Sequence, residues 1–452
     1  MSPARAIAAR VLVRVLEDRA FAAAALDTEL DRAAQAGLAP RDAALATELV
    51  YGVLRTLGFL EAELAELAKR GRGPDDAEAR AHVFIALYSI AFLDRIPTFA
   101  AVSEAVDAVR ARLGKSPAGF VNAVLRAFAA KVERDGRPSL DDALVRAAPG
   151  WLRGALRRSL GRRGAELFLA AGAKPPPITL AVRTASERAS IIEALTSALA
   201  STGATFAPCA LSPRGILATG IADPDKLAAL PELAQRFIVQ EEGAQLIALA
   251  LAAKPGEVVL DACAGRGNKT WLLSADVGPT GRVIAVDRHP DKLARLAARL
   301  ASPTVETHAI DWTAGTGSAK SYNDVNAILV DAPCSGSGTL RRRPEIALSK
   351  DAENLAELAR MQVAIVRSAA TLARPGARLV YAVCSVLREE CEDVVAKLVE
   401  PDSSGVRLVP RPLDVPDLPR LHGRDSLRLL PHEDGTDGYF IASFTVERAG
   451  AR

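Results

Sequence analysis

The chain has 452 residues, 49% apolar and 25% charged, and its 57 basic and 54 acidic side chains leave a formal charge of +3. That length exceeds what one core supports and suggests roughly three units of about 150 residues, while the composition excludes disordered and collagen-like classes. A charge so near balance gives no argument for nucleic acid, and the longest apolar runs, such as 246–253, reach about half the ~18 residues of a spanning helix.

At the N-terminus Arg5, Arg10 and Arg14 interrupt the apolar positions, so no secretory leader is expected. Five cysteines, Cys209, Cys263, Cys334, Cys384 and Cys391, form an odd set without a CxxC pair. This disfavours a disulfide framework or a zinc site and fits a reducing cytoplasm. From residue 4 to about 134 apolar residues recur at three- and four-residue spacing, as in Ile7, Val11, Leu12, Val15 and Leu16. Residues 1–137 are therefore expected to form an all-helical module of five to seven helices. Its joints lie at Pro40, at 71–74 and at Pro97.

Residues 138–254 change character. Pro175, Pro176 and Pro177 form a rigid stretch, followed by the extended-looking ITLAVRT and a helix-like run over 186–200, which suggests a small α+β linker domain. Arg153, Arg157, Arg158, Arg162 and Arg163 cluster on helical segments, where they either grip phosphates or solvate a surface.

Residues 255–452 alternate strand and helix: EVVLDA, RVIAVD, VETHAI, NAILVD and ARLVYAVC, with helices between. Short runs rich in Val, Ile and Leu suit strands buried on both faces, so a doubly wound parallel sheet is expected, with ligands at the carboxyl ends of its strands. The first strand leads into Asp261-Ala-Cys-Ala-Gly265-Arg-Gly267-Asn-Lys269-Thr270. A phosphate P-loop would have glycine before the lysine, where Asn268 stands, and the dinucleotide fingerprint would have glycine where Thr270 stands. Asp287 closes the second strand 20 residues after Gly267, where a carboxylate can accept both hydroxyl protons of a ribose, so an adenosine-type ligand is expected. Asp311 follows the third strand, either near an adenine edge or as a helix cap. The fourth strand delivers DAPCSGSGTLRRRPEI, with Asp331, Pro333 and Cys334 at its end, and the fifth presents Cys384 in YAVCS. In a doubly wound sheet those strands are neighbours, so both thiols and Asp331 can converge on one substrate.

DACAGRGNKT, AVDRHPDKLARL, DAPCSGSGTLRRRPEI, YAVCSVLREECEDVV and DGTDGYFIASF together resemble, in order and spacing, the Nol/Nop/Sun family of S-adenosylmethionine-dependent RNA cytosine carbon-5 methyltransferases. RDAALATELVYGVLR, RIPTFAAVSEAVDAVR and GFVNAVLRAF resemble the NusB-like RNA-binding domain of the bacterial Sun/RsmB branch, and RFIVQEEGAQLIALAL its approach to the catalytic domain. The resemblance covers nearly the whole chain. It implies a NusB-like helical bundle, a linker and a Rossmann-like domain, S-adenosylmethionine as cofactor, and RNA, 16S rRNA first, as partner, in a metal-free cytoplasmic monomer.

The same resemblance implies Cys384 as nucleophile toward carbon 6 of cytosine, Cys334 as the thiol assisting breakdown of the adduct, and Asp331 as a hydrogen-bond partner of the ring. Carbon 5 is a poor nucleophile, and thiolate addition at carbon 6 activates it. Cys263, Ala264, Gly265, Arg266, Gly267, Asn268 and Lys269, with Asp287, Asp311 and Asp331, match the family's cofactor-binding positions. Arg266, Gly267 and Asn268 replace a proline and two glycines, and Phe99 replaces a histidine. Arg341, Arg342 and Arg343 either contact RNA or form a solvated turn. The competing readings are an RNA-binding assembly factor without catalysis and the same chemistry on tRNA.

Overall fold

The computed structural model describes residues 2–68, 73–221, 227, 230, 233, 235–413 and 423–448. The three- and four-residue spacing becomes helices α1 (Pro3–Leu16), α2 (Ala22–Gln35), α3 (Pro40–Leu67), α4 (Ala77–Phe92), α5 (Thr98–Leu113) and α6 (Lys115–Asp135). Pro40 opens α3, where its missing N–H costs nothing, and Pro97 precedes α5. The joint expected over 71–74 falls partly outside the described residues. Asp76 caps α4 by accepting from the Ala79 N–H at 2.9 Å. Helix α4 is apolar on every side, and Val83, Phe84, Ile85, Leu87 and Ile90 are all buried, as a helix at the centre of a bundle requires. At about 1.5–3 kcal/mol for each large side chain removed from water, that helix anchors the module. Among the described residues α3 alone is long and apolar enough to cross a membrane, and 56% of its apolar window is buried in the protein.

Two further helices, α7 (Leu140–Ala147) and α8 (Gly150–Ala170), follow, with a kink in α8 at Gly161 (φ 72°). Contacts group Met1–Pro175 with Leu340–Lys350 as one unit and the remaining chain, Pro176–Thr339 with Asp351–Arg452, as a second. Within the first unit the Arg341 carbonyl accepts from Arg55 Nη2 at 3.1 Å, and the Arg343 guanidinium lies 4.9 Å from the Phe21 ring centroid. Arg341 is buried and Arg343 exposed. The expectation that all three arginines face either RNA or water is therefore corrected for Arg341, which packing against the helices withdraws from both.

The second unit begins with β1 (Ile178–Val182), α9 (Arg188–Ala198), β2 (Thr205–Pro208), β3 (Gly215–Thr219) and β4 (Phe237–Val239), an antiparallel sheet in the order β2-β3-β1-β4. After α10 (Glu242–Ala250) come β5 (Val258–Asp261), α11 (Asn268–Val277), β6 (Arg282–Asp287), α12 (Pro290–Leu300), β7 (Val305–Ala309) and β8 (Val325–Asp331). Helix α13 (Ile346–Ser349) lies in the segment grouped with the first unit. The second unit resumes with α14 (Ala352–Ala370), β9 (Ala373–Val383), α15 (Glu392–Val399), β10 (Val406–Pro410), β11 (Ser426–Leu429), α16 (Pro431–Asp434) and β12 (Tyr439–Arg448).

The large sheet has the order β10-β12-β9-β8-β5-β6-β7, with β11 paired to β12. Strands β7, β6, β5, β8 and β9 are mutually parallel, while β12 runs antiparallel beside β9. This is a Rossmann-like sheet with an antiparallel edge. Strand order reverses between β5 and β8, so the crevice at their carboxyl ends is where such a fold takes its ligand. Val259, Leu260, Val283, Ile284, Ile328, Leu329, Leu379 and Val380 are buried on both faces, which explains their continuous apolar runs.

Candidate active site

Every parallel strand from β5 to β9 ends at a polar residue or leads directly into one: Asp261, Asp287, Asp311 two residues past β7, Asp331, and Cys384 just past β9. Asp331 pairs in register with Ala382, so the loop carrying Cys334 starts level with the end of β9. The Cys334 and Cys384 sulfurs are 3.2 Å apart, and both side chains are half-buried. Their proximity to each other, followed by burial, pushes the Cys334 thiol well above its ordinary value. Gly338 N–H donates to the Cys384 carbonyl at 3.0 Å, and Gly438 N–H to the Gly338 carbonyl at 2.8 Å. A Cβ at Gly338 would collide with the Gly438 carbonyl, so the DGTDG segment closes down on the DAPCSGSG loop only because both positions are glycine.

Lys269 Nζ donates to Asp331 Oδ2 at 2.5 Å. Burial works against the charge on Lys269, but Asp331, Asp261 and Cys384 outweigh it, and the ammonium titrates above its ordinary value. A cation is thereby fixed on the Asp331 carboxylate, with Cys384 within its electrostatic reach. The turn that presents Lys269 is held by Gly267 (φ +79°), whose Cβ would come within 2.5 Å of Leu296. Asn268 starts α11, and its side-chain oxygen accepts from Arg299 Nη1 at 2.7 Å. Arg266 is exposed, and Ala264 donates its N–H to the Val286 carbonyl.

Asp261 is buried and accepts from Thr270 Oγ1 at 2.7 Å. Burial, opposed by Thr270 and Lys269, pushes its carboxyl from 3.8 up to about 6. A carboxyl raised on folding contributes stability that is complete below its unfolded pKa and lost as pH rises through the folded one. Asp261→Asn, which keeps an acceptor for Thr270 without the charge, is therefore expected to match the wild type near pH 4 and exceed it above pH 6 by on the order of 2–3 kcal/mol. Melting temperatures across that interval check this, and a constant offset at every pH would contradict it.

A cavity of about 330 Å³ opens beside this cluster. Asp287 stands in its wall with both oxygens occupied from below: Gly265 N–H donates to Oδ2 at 3.0 Å and His289 N–H to Oδ1 at 2.9 Å. Asp311 also lines it while capping the turn at Thr313, whose N–H it accepts at 2.9 Å, so the two readings of that residue coexist. The Thr313 hydroxyl holds the Asp311 carboxyl below its ordinary range. Ile310, Trp312, Met361 and Ile365 supply apolar wall, with the Trp312 indole N–H donating to the Ala262 carbonyl at 2.7 Å. A carboxylate for hydroxyls between apolar walls is the chemistry that a nucleoside demands.

Of the positions expected to hold the cofactor, Cys263, Gly265, Asp287, Asp311 and Asp331 line this cavity. Ala264, Arg266, Gly267, Asn268 and Lys269 are not among its lining residues. Burial and the carboxylates around it push the Cys263 thiol well up. The lining residues His289, Lys292, Trp312, Met361 and Ile365 were not read from the sequence. Their signals were slight: Trp312 adjoins Asp311, and Met361 and Ile365 are four apart on one face of α14.

Residues 248–445 match the family model described as 16S rRNA methyltransferase RsmB/F, and residues 2–130 match the NusB family. The chain is 32% identical to the ribosomal RNA small subunit methyltransferase B of Pseudomonas syringae pv. tomato, covering 100% of this chain and 99% of the relative. Its fold is shared with the crystal structure of PH0851, with a TM-score of 0.76 and 23% identity over 98% of this chain and 99% of the other. The NSun6 structure from Pyrococcus horikoshii with SFG has a TM-score of 0.54 and 18% identity over 67% and 99%.

Proposed function

The chain belongs to the RsmB/F family of S-adenosylmethionine-dependent rRNA methyltransferases, and from that premise we propose that it methylates carbon 5 of a cytosine in 16S rRNA through a transient bond between Cys384 and the base. The observation that carries this reading is the pair of sulfurs 3.2 Å apart beside Asp331 and Lys269. A methyltransferase acting on an already nucleophilic atom has no use for two thiols brought together from neighbouring strand ends.

Asp287 would hold the ribose hydroxyls of S-adenosylmethionine, Ile310, Trp312 and Ile365 its adenine, and the turn from Cys263 to Gly265 its amino-acid portion. When bound, it supplies an electrophilic methyl group. The Cys384 sulfur adds to carbon 6, giving carbon 5 the electron density it lacks in the aromatic ring. Lys269 offers positive charge to the anion formed at Cys384, and Asp331 hydrogen-bonds the ring where the adduct gathers charge. Once carbon 5 carries its methyl group, Cys334 takes the carbon 5 proton, and the electron pair of that C–H bond restores the ring as the bond from carbon 6 breaks and Cys384 leaves as a thiolate. The base reaches these groups from a single-stranded or flipped-out position. Residues 1–137 and 138–254 grip the RNA and 255–452 perform the chemistry, in a metal-free cytoplasmic monomer.

The test is to incubate the protein and methyl donor with unmodified 16S rRNA and, separately, with unmodified tRNA, then to digest each RNA and assay nucleosides by mass spectrometry. 5-Methylcytidine in the 16S sample alone is expected. Its appearance only in tRNA would reassign the substrate, and its absence from both would defeat the proposed chemistry.

A further inference from the structure

Cys334 and Cys384 are free thiols whose sulfurs lie 3.2 Å apart, and both side chains are half-buried. A disulfide holds its sulfurs about 2 Å apart, so the pair has roughly 1 Å left to close, a distance that side-chain rotation can cover. Among the described residues no other two sulfurs are in contact.

The backbone around both cysteines is held by groups other than the sulfurs. Ser335 and Ser385 directly follow the two cysteines, and the buried Glu390 carboxylate accepts from both hydroxyls, at 2.5 and 2.6 Å, and from the Ser335 N–H at 2.7 Å. Gln362 Nε2 donates to the Pro333 carbonyl at 3.0 Å, which fixes the chain just before Cys334. The Gly338 N–H donates to the Cys384 carbonyl, also at 3.0 Å. None of these bonds has to break when the sulfurs approach, so the two loops can keep their places in either state.

We propose that this pair is a site of reversible oxidative modification: hydrogen peroxide joins Cys334 to Cys384 as a disulfide, which silences methyl transfer until a thiol reductant reopens it. The sulfur of the pair that ionises attacks one peroxide oxygen, the O–O bond breaks, and the other oxygen leaves as hydroxide and is protonated to water. Its neighbour then attacks the sulfenic sulfur, the S–O bond breaks, and a second water departs. Two thiols and one peroxide thus give one disulfide and two waters, with two electrons passed from sulfur to oxygen. Dithiothreitol reverses the step by exchange and ends as its own cyclic disulfide.

The silencing rests on the reading of the cysteine pair given above, since sulfurs bonded to each other can neither add to carbon 6 nor take the carbon 5 proton. Donor binding should be spared, because neither cysteine lines the cavity of Asp287 and Asp311. The pairing also protects: a sulfenic acid without a neighbouring thiol goes on to sulfinic acid, which dithiothreitol does not reduce.

The test treats the full-length protein with hydrogen peroxide, removes the excess with catalase, blocks remaining thiols with iodoacetamide under denaturing conditions and maps peptides by mass spectrometry without reduction. A cross-linked species joining the peptides of Cys334 and Cys384, two hydrogen atoms lighter than their sum, is expected, with Cys209, Cys263 and Cys391 outside any disulfide. In undenatured portions of the same samples, methylation of RNA should fall in proportion to the cross-linked fraction and return with dithiothreitol, while binding of radiolabelled S-adenosylmethionine is unchanged. Cys334→Ala should instead carry Cys384 to sulfinic acid that dithiothreitol leaves in place. Sulfinic acid rather than the cross-link in the wild type, or undiminished methylation by cross-linked protein, would overturn the proposal. Absence of the cross-link from protein that methylates RNA removes this inference and leaves the catalytic reading intact. Failure of the reduced wild type to methylate any RNA strikes that reading instead, and the cross-link still decides whether the pair is a modification site.

Discussion

Cys384→Ala is expected to lose methyl transfer to RNA by roughly 10⁴-fold or more, as removal of an essential nucleophile does in other covalent enzymes, while binding of the methyl donor survives. Donor binding should survive because Cys384 does not line the cavity of Asp287 and Asp311; it stands just past the end of β9. The variant keeps the Gly338 N–H bond to the residue 384 carbonyl, which uses backbone atoms alone, so the loop is not expected to rearrange. Equilibrium binding of radiolabelled S-adenosylmethionine and a single-turnover methylation assay on the same preparation measure both halves. Turnover at the wild-type rate would mean that carbon 5 is activated some other way, and the pair of sulfurs would need a different explanation. Loss of donor binding together with turnover would point to a collapsed site rather than a missing nucleophile.

The positions of the acidic residues at strand ends, and of the two cysteines, were legible because a parallel sheet imposes them. Continuous apolar runs such as RVIAVD and NAILVD can only be strands buried on both faces, and their terminal aspartates must then emerge at one edge. Contacts made by folding from a distance were not legible. Glu390 is one of two adjacent glutamates in the sequence, and its burial follows from the serines of two remote loops closing on it. Arg341 reads as surface charge beside Arg342 and Arg343, yet its carbonyl is claimed by Arg55 and its side chain is covered. The residues of β12 belong to the motif DGTDGYFIASF, but the place of that strand between β9 and β10 depends on pairing partners 34 to 67 residues away, which local periodicity does not encode. In the glycine-bearing turn the replacements proved compatible with the fold: Gly267 occupies the position where a Cβ would strike Leu296, and Arg299 secures Asn268.

Cys334→Ala should behave in the opposite way to Cys384→Ala, methylating about one cytosine per protein molecule and then stopping with RNA attached. The reason lies in the order of the chemistry. The bond from Cys384 to carbon 6 and the new methyl group at carbon 5 both form without Cys334, whereas expulsion of Cys384 follows loss of the carbon 5 proton, the step assigned to the second sulfur. Since the two sulfurs are 3.2 Å apart, a group acting on the adduct from Cys334 is already in place, and no water of matching position is guaranteed in a site whose neighbours Ser335, Ser337 and Ser385 are buried. A protein–RNA band resistant to denaturant on gels, absent from Cys384→Ala and from the double variant, is the expected signature. Labelled methyl groups should appear in that band at close to one per protein. Free methylated RNA released by Cys334→Ala at the wild-type rate would remove the second sulfur from the mechanism, and an unmethylated covalent band would place it before methyl transfer rather than after.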